Sequence, residues 1–199
     1  MNGGIVDAIA RALTGDLPQD RAIFVGVDGV DGSGKTTFAT ALRERVVGRP
    51  SLVIHLDDFL HPRPIRHARG RDSPEGFWLD TYDYSAFQRV LSDPAAAGSN
   101  AVIIVEGMFL HRDELVGLWD YSVFLDVPFP ETARRMALRD GSHPDPNHES
   151  MNRYIGGQRL YFANARPWER ATTVIDNSDP ANPRRIEPAK ATASDSCGA

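Results

Sequence analysis

Apolar residues recur along this chain at two different periods. Ile5, Ile9 and Leu13 stand at i, i+4 and i+8, which predicts an amphipathic helix over residues 4–14. Phe38, Leu42 and Val46 form a second such stripe, predicting a helix over 35–47 that Gly48 and Pro50 stop. Further helices are expected over about 84–92, from near Pro130 to Arg139, and over about 150–165. The helix at Pro130 has proline in its first turn and Glu131 well placed against the helix dipole. Between these lie short apolar runs at 22–27, 51–56, 101–105, 121–127 and 172–175. Continuous rather than alternating apolar character predicts strands buried on both faces. Residues 61–84 show no period and read as a functional loop. Residues 94–100 read as a surface connection and 140–149 as a loop. From Ser178 the chain is rich in Pro, Ala and Ser, which predicts a partly disordered tail over 178–199.

Strands that alternate with helices over short links form βαβ units. The expected architecture is an α/β three-layer sandwich: a central five-stranded parallel sheet, with helices on both faces. Residues 1–177 make one domain, and 178–199 are left as the tail. Ligands of such sheets bind at the carboxyl ends of the strands.

Composition narrows the picture. A chain of 199 residues, 41% hydrophobic and 25% charged, suits one globular domain and excludes disorder throughout. The longest apolar runs, such as 101–105, fall far short of the ~20 residues of a membrane span. No basic leader precedes an apolar core at the N-terminus. One cysteine, Cys197, argues against a disulfide framework or a cysteine metal site and fits a cytoplasmic protein. A net charge of −5 gives no general attraction to nucleic acid or anionic membranes. Arginine outnumbers lysine 20 to 2, so arginine is the default cation here and Lys35 stands out.

Lys35 lies in Gly29-Val30-Asp31-Gly32-Ser33-Gly34-Lys35-Thr36, which fits G-x-x-x-x-G-K-[ST] at every fixed position. The glycines let backbone N–H groups turn inward as an anion nest, at the N-terminus of the following helix. Lys35 is placed to reach the β- and γ-phosphates, and the Thr36 hydroxyl to ligate Mg²⁺. Gly29, Asp31, Gly32, Ser33, Gly34, Lys35, Thr36 and Thr37 are therefore expected to bind the nucleotide, ATP or GTP. An N-K-x-D guanine reader is absent.

Two carboxylate sites follow strands. Asp57 and Asp58 come after the run at 51–56, and Glu106 after that at 101–105. Phosphoryl transfer to a hydroxyl needs a carboxylate to orient the acceptor and take its proton, which suits Asp57. Glu106 suits holding Mg²⁺ through water. The plainer reading of both is helix capping. His143 and His148 are separated by two prolines and read as an exposed loop rather than a metal site.

Together with the glycine-rich loop, the segments LDDFLHPR (56–63), SPEGFWLDTYDY (73–84), VIIVEGMFL (102–110), ARRMALRD (133–140) and RYIGGQRLY (153–161) resemble the uridine kinase-like branch of P-loop kinases. That group includes uridine/cytidine kinases, phosphoribulokinase and bacterial pantothenate kinase. The resemblance spans about residues 22–177. It implies the P-loop NTPase fold with an arginine-bearing lid over about 130–150. It implies that Asp57 is the catalytic aspartate, that Glu106 is the Walker B-like glutamate, and that Arg135 and Arg139 close over the transferring phosphate. The bland reading of this arginine pair is a solvated helix face.

Residues 61–84 would then wall the acceptor. Phe77, Trp78, Tyr82 and Tyr84 suit stacking on a base, and Asp80 or Asp83 suits accepting from sugar hydroxyls. Phe77 and Trp78 suit equally a plug that ties the segment to the core. Arg63, Arg66, Arg69 and Arg71 suit either solvent or an acceptor that is already phosphorylated. The resemblance adds Arg153, Tyr154 and Gln158 to the acceptor pocket. Uridine kinases carry a D-H-P-x-A-F-D type segment, whereas this chain has DSPEGFWLD at 72–80, with Ser73 in place of the histidine. The expected activity is ATP- and Mg²⁺-dependent phosphorylation of a small-molecule hydroxyl, with uridine or cytidine implied by the resemblance. A sugar or pantothenate-like acceptor, or a non-catalytic nucleotide-binding regulator, is the alternative. Self-association is left open.

Overall fold

The apolar runs become strands that feed two cores. The computed structural model describes residues 3–92 and 98–195. Its strands are β1 (Ile23–Gly29), β2 (Ser51–His55), β3 (Val102–Gly107), β4 (Tyr121–Asp126), β5 (Thr173–Asp176) and β6 (Arg184–Ile186). They lie in the order β2-β3-β1-β4-β5-β6. The first five are parallel, and β6 pairs antiparallel with β5. Successive side chains point to opposite faces. Val102 and Ile104 of β3 therefore join one core, with Val123 and Leu125 of β4, while Ile103, Val105 and Phe124 join the other.

Helices α1 (Gly3–Gly15) and α2 (Lys35–Arg45) close the first core, through Val6, Ile9, Leu13, Phe38 and Leu42. The opposite core takes Phe87 from α5 (Tyr84–Leu91), Ala133 and Met136 from α6 (Phe129–Asp140), Tyr161 and Phe162 from α7 (Asn152–Ala165) and Trp168 from α8 (Pro167–Arg170). Each large side chain removed from water on this scale contributes about 1.5–3 kcal/mol.

Three expectations change. The sheet has six strands and not five, because residues 184–186 add an antiparallel edge strand. A run of three residues between prolines and polar groups carries no period, so the sequence hid it. The packed chain also runs past residue 177, to the short helix α9 (Thr192–Asp195). It is fastened there by the buried Asp126 carboxylate, which accepts from Thr192 N (2.7 Å), Thr192 Oγ1 (3.0 Å) and Ala193 N (3.0 Å).

Residues 61–84 are not a loop. They contain α3 (Arg63–Arg66) and α4 (Pro74–Asp80). Ser73 caps α4 by accepting from Gly76 N at 3.0 Å, and Pro74 sits in the first turn. Ser-Pro-Glu is a helix-start signal, but seven residues are too few to show a stripe. Residues 94–97 of the expected connection, and Cys197, lie outside the described residues. No helix among the described residues is long and apolar enough to cross a membrane.

Candidate active site

Register brings the chemistry to one rim. Glu106 of β3 pairs with Val27 of β1 and with His55 of β2. The glycine-rich turn after β1, the 56–59 turn after β2 and the end of β3 are therefore level. The turn leads directly into α2, whose first residue is Lys35. Gly32 and Gly34 have φ of 73° and 92°, in the left-handed region that favours glycine. A side chain at Gly32 would also meet the Thr132 carbonyl at 2.8 Å. Asn177, just past β5, donates to the Ser33 carbonyl at 2.7 Å and holds the turn from beneath.

Asp31, Gly32, Gly34, Lys35, Thr36 and Thr37 line a cavity of about 330 Å³. Asp57, Glu106, Arg135, Met136 and Arg139 complete its wall. Lys35 Nζ rests 2.9 Å from the Val30 carbonyl, and Thr36 Oγ1 donates to Glu106 Oε1 at 3.0 Å. The same Glu106 oxygen lies 2.6 Å from His55 Nδ1. Tyr82 donates to Asp57 Oδ1 at 2.8 Å. Burial, reinforced by Asp57, holds the Tyr82 phenol well above its ordinary range, so it remains a donor. Desolvation pushes the Asp31 carboxyl up, with Lys35 opposing and Asp57 adding to it.

The α6 arginines divide their work. Arg135 donates to Gly32 O (3.3 Å), Asn177 O (3.0 Å) and Ser178 O (2.8 Å), so it docks α6 against the glycine-rich turn. Arg139 reaches the same cavity but pairs with Asp140, and its side chain is 63% exposed.

This geometry agrees with what the chain is similar to. The sequence profile of an AAA domain matches residues 25–155. Nicotinamide riboside kinase 2 of Mus musculus is 32% identical over 145 residues, covering 62% of this chain and 71% of its own. Uridine kinase of Lactiplantibacillus plantarum is 30% identical over 132 residues, covering 54% of this chain and 62% of its own. A solved structure described as a possible uridine kinase from Bacillus stearothermophilus superposes with a TM-score of 0.64 at 23% identity, over 85% of this chain and 96% of that one. The chain belongs to the AAA-domain P-loop family, in its uridine kinase-like branch. It is a phosphotransferase with a hydroxyl acceptor, a small-molecule kinase rather than a non-catalytic regulator.

Most of the residues expected to contact an acceptor are engaged within the protein itself. Phe77 is 5% exposed and packs edge-on against Phe109 and Tyr154. Trp78 packs against Phe109 and Tyr161, with the Arg112 guanidinium 4.5 Å over its ring. Both form the plug, Phe77 buried and Trp78 half-buried with Arg112 over its ring. Tyr82 is 2% exposed and is spent on Asp57. Asp80 accepts from Arg69 Nε at 2.9 Å. Gln158 is buried and accepts from Asp31 N at 3.1 Å, so it braces the glycine-rich turn. Arg153 donates to the carbonyls of Arg66 (2.9 Å), Arg71 (3.2 Å) and Ser73 (3.3 Å), and so clamps the segment that carries them. Of the expected aromatics only Tyr154, 42% exposed, faces outward.

Sequence reasoning missed His55, Asn177 and a buried set formed by Asp28, His111 and Tyr161. His55 had a faint signal, since it immediately precedes the Leu-Asp-Asp turn. Asn177 and His111 had none, because only the folded sheet brings them to the turn.

Two outcomes follow from these contacts. Gly107 packs so closely on β2's turn that an added Cβ would lie 2.4 Å from Leu56 Cβ. Gly107→Ala is expected to displace Leu56 and with it Asp57, costing about 1–3 kcal/mol of overpacking. Thermal unfolding and turnover, measured together, should both fall. The second concerns Glu131, whose carboxylate accepts from Arg134 and Arg135 at 2.8 Å. Those bonds, Arg134's first, lower it from 4.5 to about 2. A depressed carboxylate stabilises fully above the unfolded value. This contribution is therefore complete above pH 4.5 and is lost as pH falls toward about 2. Melting temperature followed across that window should fall less steeply in Glu131→Gln than in the wild type.

Proposed function

We propose that the kinase transfers the terminal phosphate of ATP, or GTP, to a hydroxyl of a small acceptor, with Asp57 as the base. The observation that carries this is the single cavity on which Lys35, Thr36, Glu106 and Asp57 converge. Tyr82 occupies one Asp57 oxygen and leaves the other to face the hydroxyl. Asp57 takes the hydroxyl proton as the acceptor oxygen bonds to phosphorus and the nucleoside diphosphate departs. The turn amides and Lys35 hold the phosphates, while Arg139, on the wall of the same cavity, meets the charge that spreads over the transferring group and Arg135 keeps α6 docked on the turn.

Thr36 and Glu106 supply oxygens 3.0 Å apart. No group of three or more His, Cys, Asp or Glu side chains suited to a metal occurs among the described residues. Two oxygen donors beside a phosphate cradle fit Mg²⁺, which prefers one or two protein oxygens plus phosphate and water. Bound there, Mg²⁺ neutralises charge on the triphosphate. His55 holds the Glu106 carboxylate in place beside Thr36.

The names of the relatives, nicotinamide riboside kinase and uridine kinase, support a nucleoside acceptor, and the sequence resemblance points within that class to uridine or cytidine. A second reading is a sugar or a pantothenate-like hydroxy acid, favoured by the burial of Phe77 and Tyr82 and by the packing of half-buried Trp78 against Phe109, Tyr161 and Arg112, which leave little aromatic surface for a base. An ADP-release screen over uridine, cytidine, nicotinamide riboside, simple sugars and pantothenate tests the proposal. At least one acceptor should accelerate release far above the reaction with water, and none doing so refutes it.

A further inference from the structure

The segment from His61 to Asp72 carries four arginines and a single carboxylate, in a chain whose net charge is −5. Arg69 is paired with Asp80. Arg63, Arg66 and Arg71 form no ion pair among the described residues. They line a cavity of about 730 Å³, together with His67, Arg153 and Tyr154, and Asp72 is the one acid on its wall.

Arg66 Nε and His67 Nδ1 are buried there with no hydrogen-bond partner. Leaving such groups unpaired is costly, so their presence on a wall already crowded with guanidinium groups calls for an explanation. Burial and the four surrounding guanidinium groups, Arg153's first among them, draw the His67 imidazole below its ordinary range. The arrangement is held in place rather than loose in solvent. Arg153 clamps the carbonyls of Arg66, Arg71 and Ser73, and Tyr154 is fixed edge-on against Phe77.

Helix α7 links the cavity to the reaction centre. Tyr154 on its wall precedes Gln158 by one turn of α7, and Gln158 bonds Asp31 in the glycine-rich turn. One turn advances about 5–6 Å. An acceptor would then have its hydroxyl at Asp57 and its other end among the arginines.

Resting on the kinase reading, we infer that the acceptor carries an anionic group, a carboxylate or a phosphate, and that Arg63, Arg66 and Arg71 bind it in this cavity. A guanidinium presents paired N–H donors that match either anion. A neutral nucleoside would leave these donors unpaired, and a cationic pyridinium nucleoside would meet like charge.

The test is calorimetric binding to the full chain with saturating MgADP, so that the glycine-rich turn is already filled. The probes are ribose 5-phosphate against ribose, and pantothenate against its neutral alcohol, pantothenol. One charged probe should bind at least about tenfold more tightly than its neutral partner, and Arg63→Gln/Arg71→Gln should weaken it by about tenfold or more. An unchanged melting temperature of this variant serves as the folding control. Arg71→Lys, which keeps charge but loses the fork, should fall between the two. Preference for ribose 5-phosphate identifies a phosphate, and preference for pantothenate a carboxylate. Equal binding of charged and neutral partners, no binding of either charged probe, or no effect of the double substitution overturns the inference. ADP release with uridine that ignores these arginines would leave the kinase reading standing while the anion site falls. Charged-probe binding with no release from any acceptor would sink the kinase reading alone.

Discussion

Asp57→Asn is expected to lower turnover by roughly 10²–10⁴-fold, the usual contribution of a positioned base. MgATP affinity should change little. The substitution is chosen because it keeps the local structure. Asparagine retains an oxygen to accept from the Tyr82 hydroxyl, now 2.8 Å from Asp57 Oδ1. Lys35, Thr36 and Glu106 bind one another, the backbone or His55, and not Asp57, so the nucleotide cradle stays as it is. The loss should appear in kcat with the acceptor saturating, while nucleotide binding measured by calorimetry is preserved. Turnover close to the wild-type rate would reduce Asp57 to the first-turn residue of the 56–59 turn. Tyr82→Phe separates orientation from proton transfer. It removes the donor but leaves the carboxylate, and its effect on kcat should be smaller than that of Asp57→Asn.

The cradle was legible in the sequence because its chemistry is local. A phosphate nest needs glycines, a lysine and a hydroxyl at fixed spacing, and all of them lie within residues 29–36. Asp57 and Glu106 were legible for a related reason: a parallel sheet delivers whatever follows its strands to one rim. The acceptor side obeys no such rule. Gln158 reads as a substrate contact on its helix, yet its side chain accepts from Asp31, 127 positions away in the chain. Phe77 and Trp78 look the same in sequence whether they stack on a ligand or on Phe109. Phe109 decides the matter, fully buried with φ of 68° at the hub of the ring cluster. Helix α4 escaped notice because it is held by a cap and a plug rather than by periodicity. Strand β6 escaped because its pairing partner β5 supplies what its own three residues lack.

Asp28→Ala should be the most damaging substitution for stability, by about 3–5 kcal/mol. The Asp28 carboxylate is fully buried at the end of β1, directly before the glycine-rich turn. It accepts from Gly29 N (2.7 Å), His111 Nδ1 (2.7 Å), His111 N (3.2 Å) and the Tyr161 hydroxyl. It thus ties β1, the segment after β3 and α7 together at one point. Removing it strands a buried imidazole N–H and a buried phenol at the same time, and His111 Nε2 already lacks a partner. Domains of this size are stable by only about 5–15 kcal/mol, so the variant should unfold at markedly lower denaturant or fail to accumulate. Tyr161→Phe is the milder companion. It deletes one donor while the carboxylate keeps His111 and Gly29, and should cost about 1–2 kcal/mol. If urea unfolding ranked the two the other way, ring packing of Tyr161 against Trp78 and Phe109, and not the buried carboxylate, would be what holds this corner of the kinase.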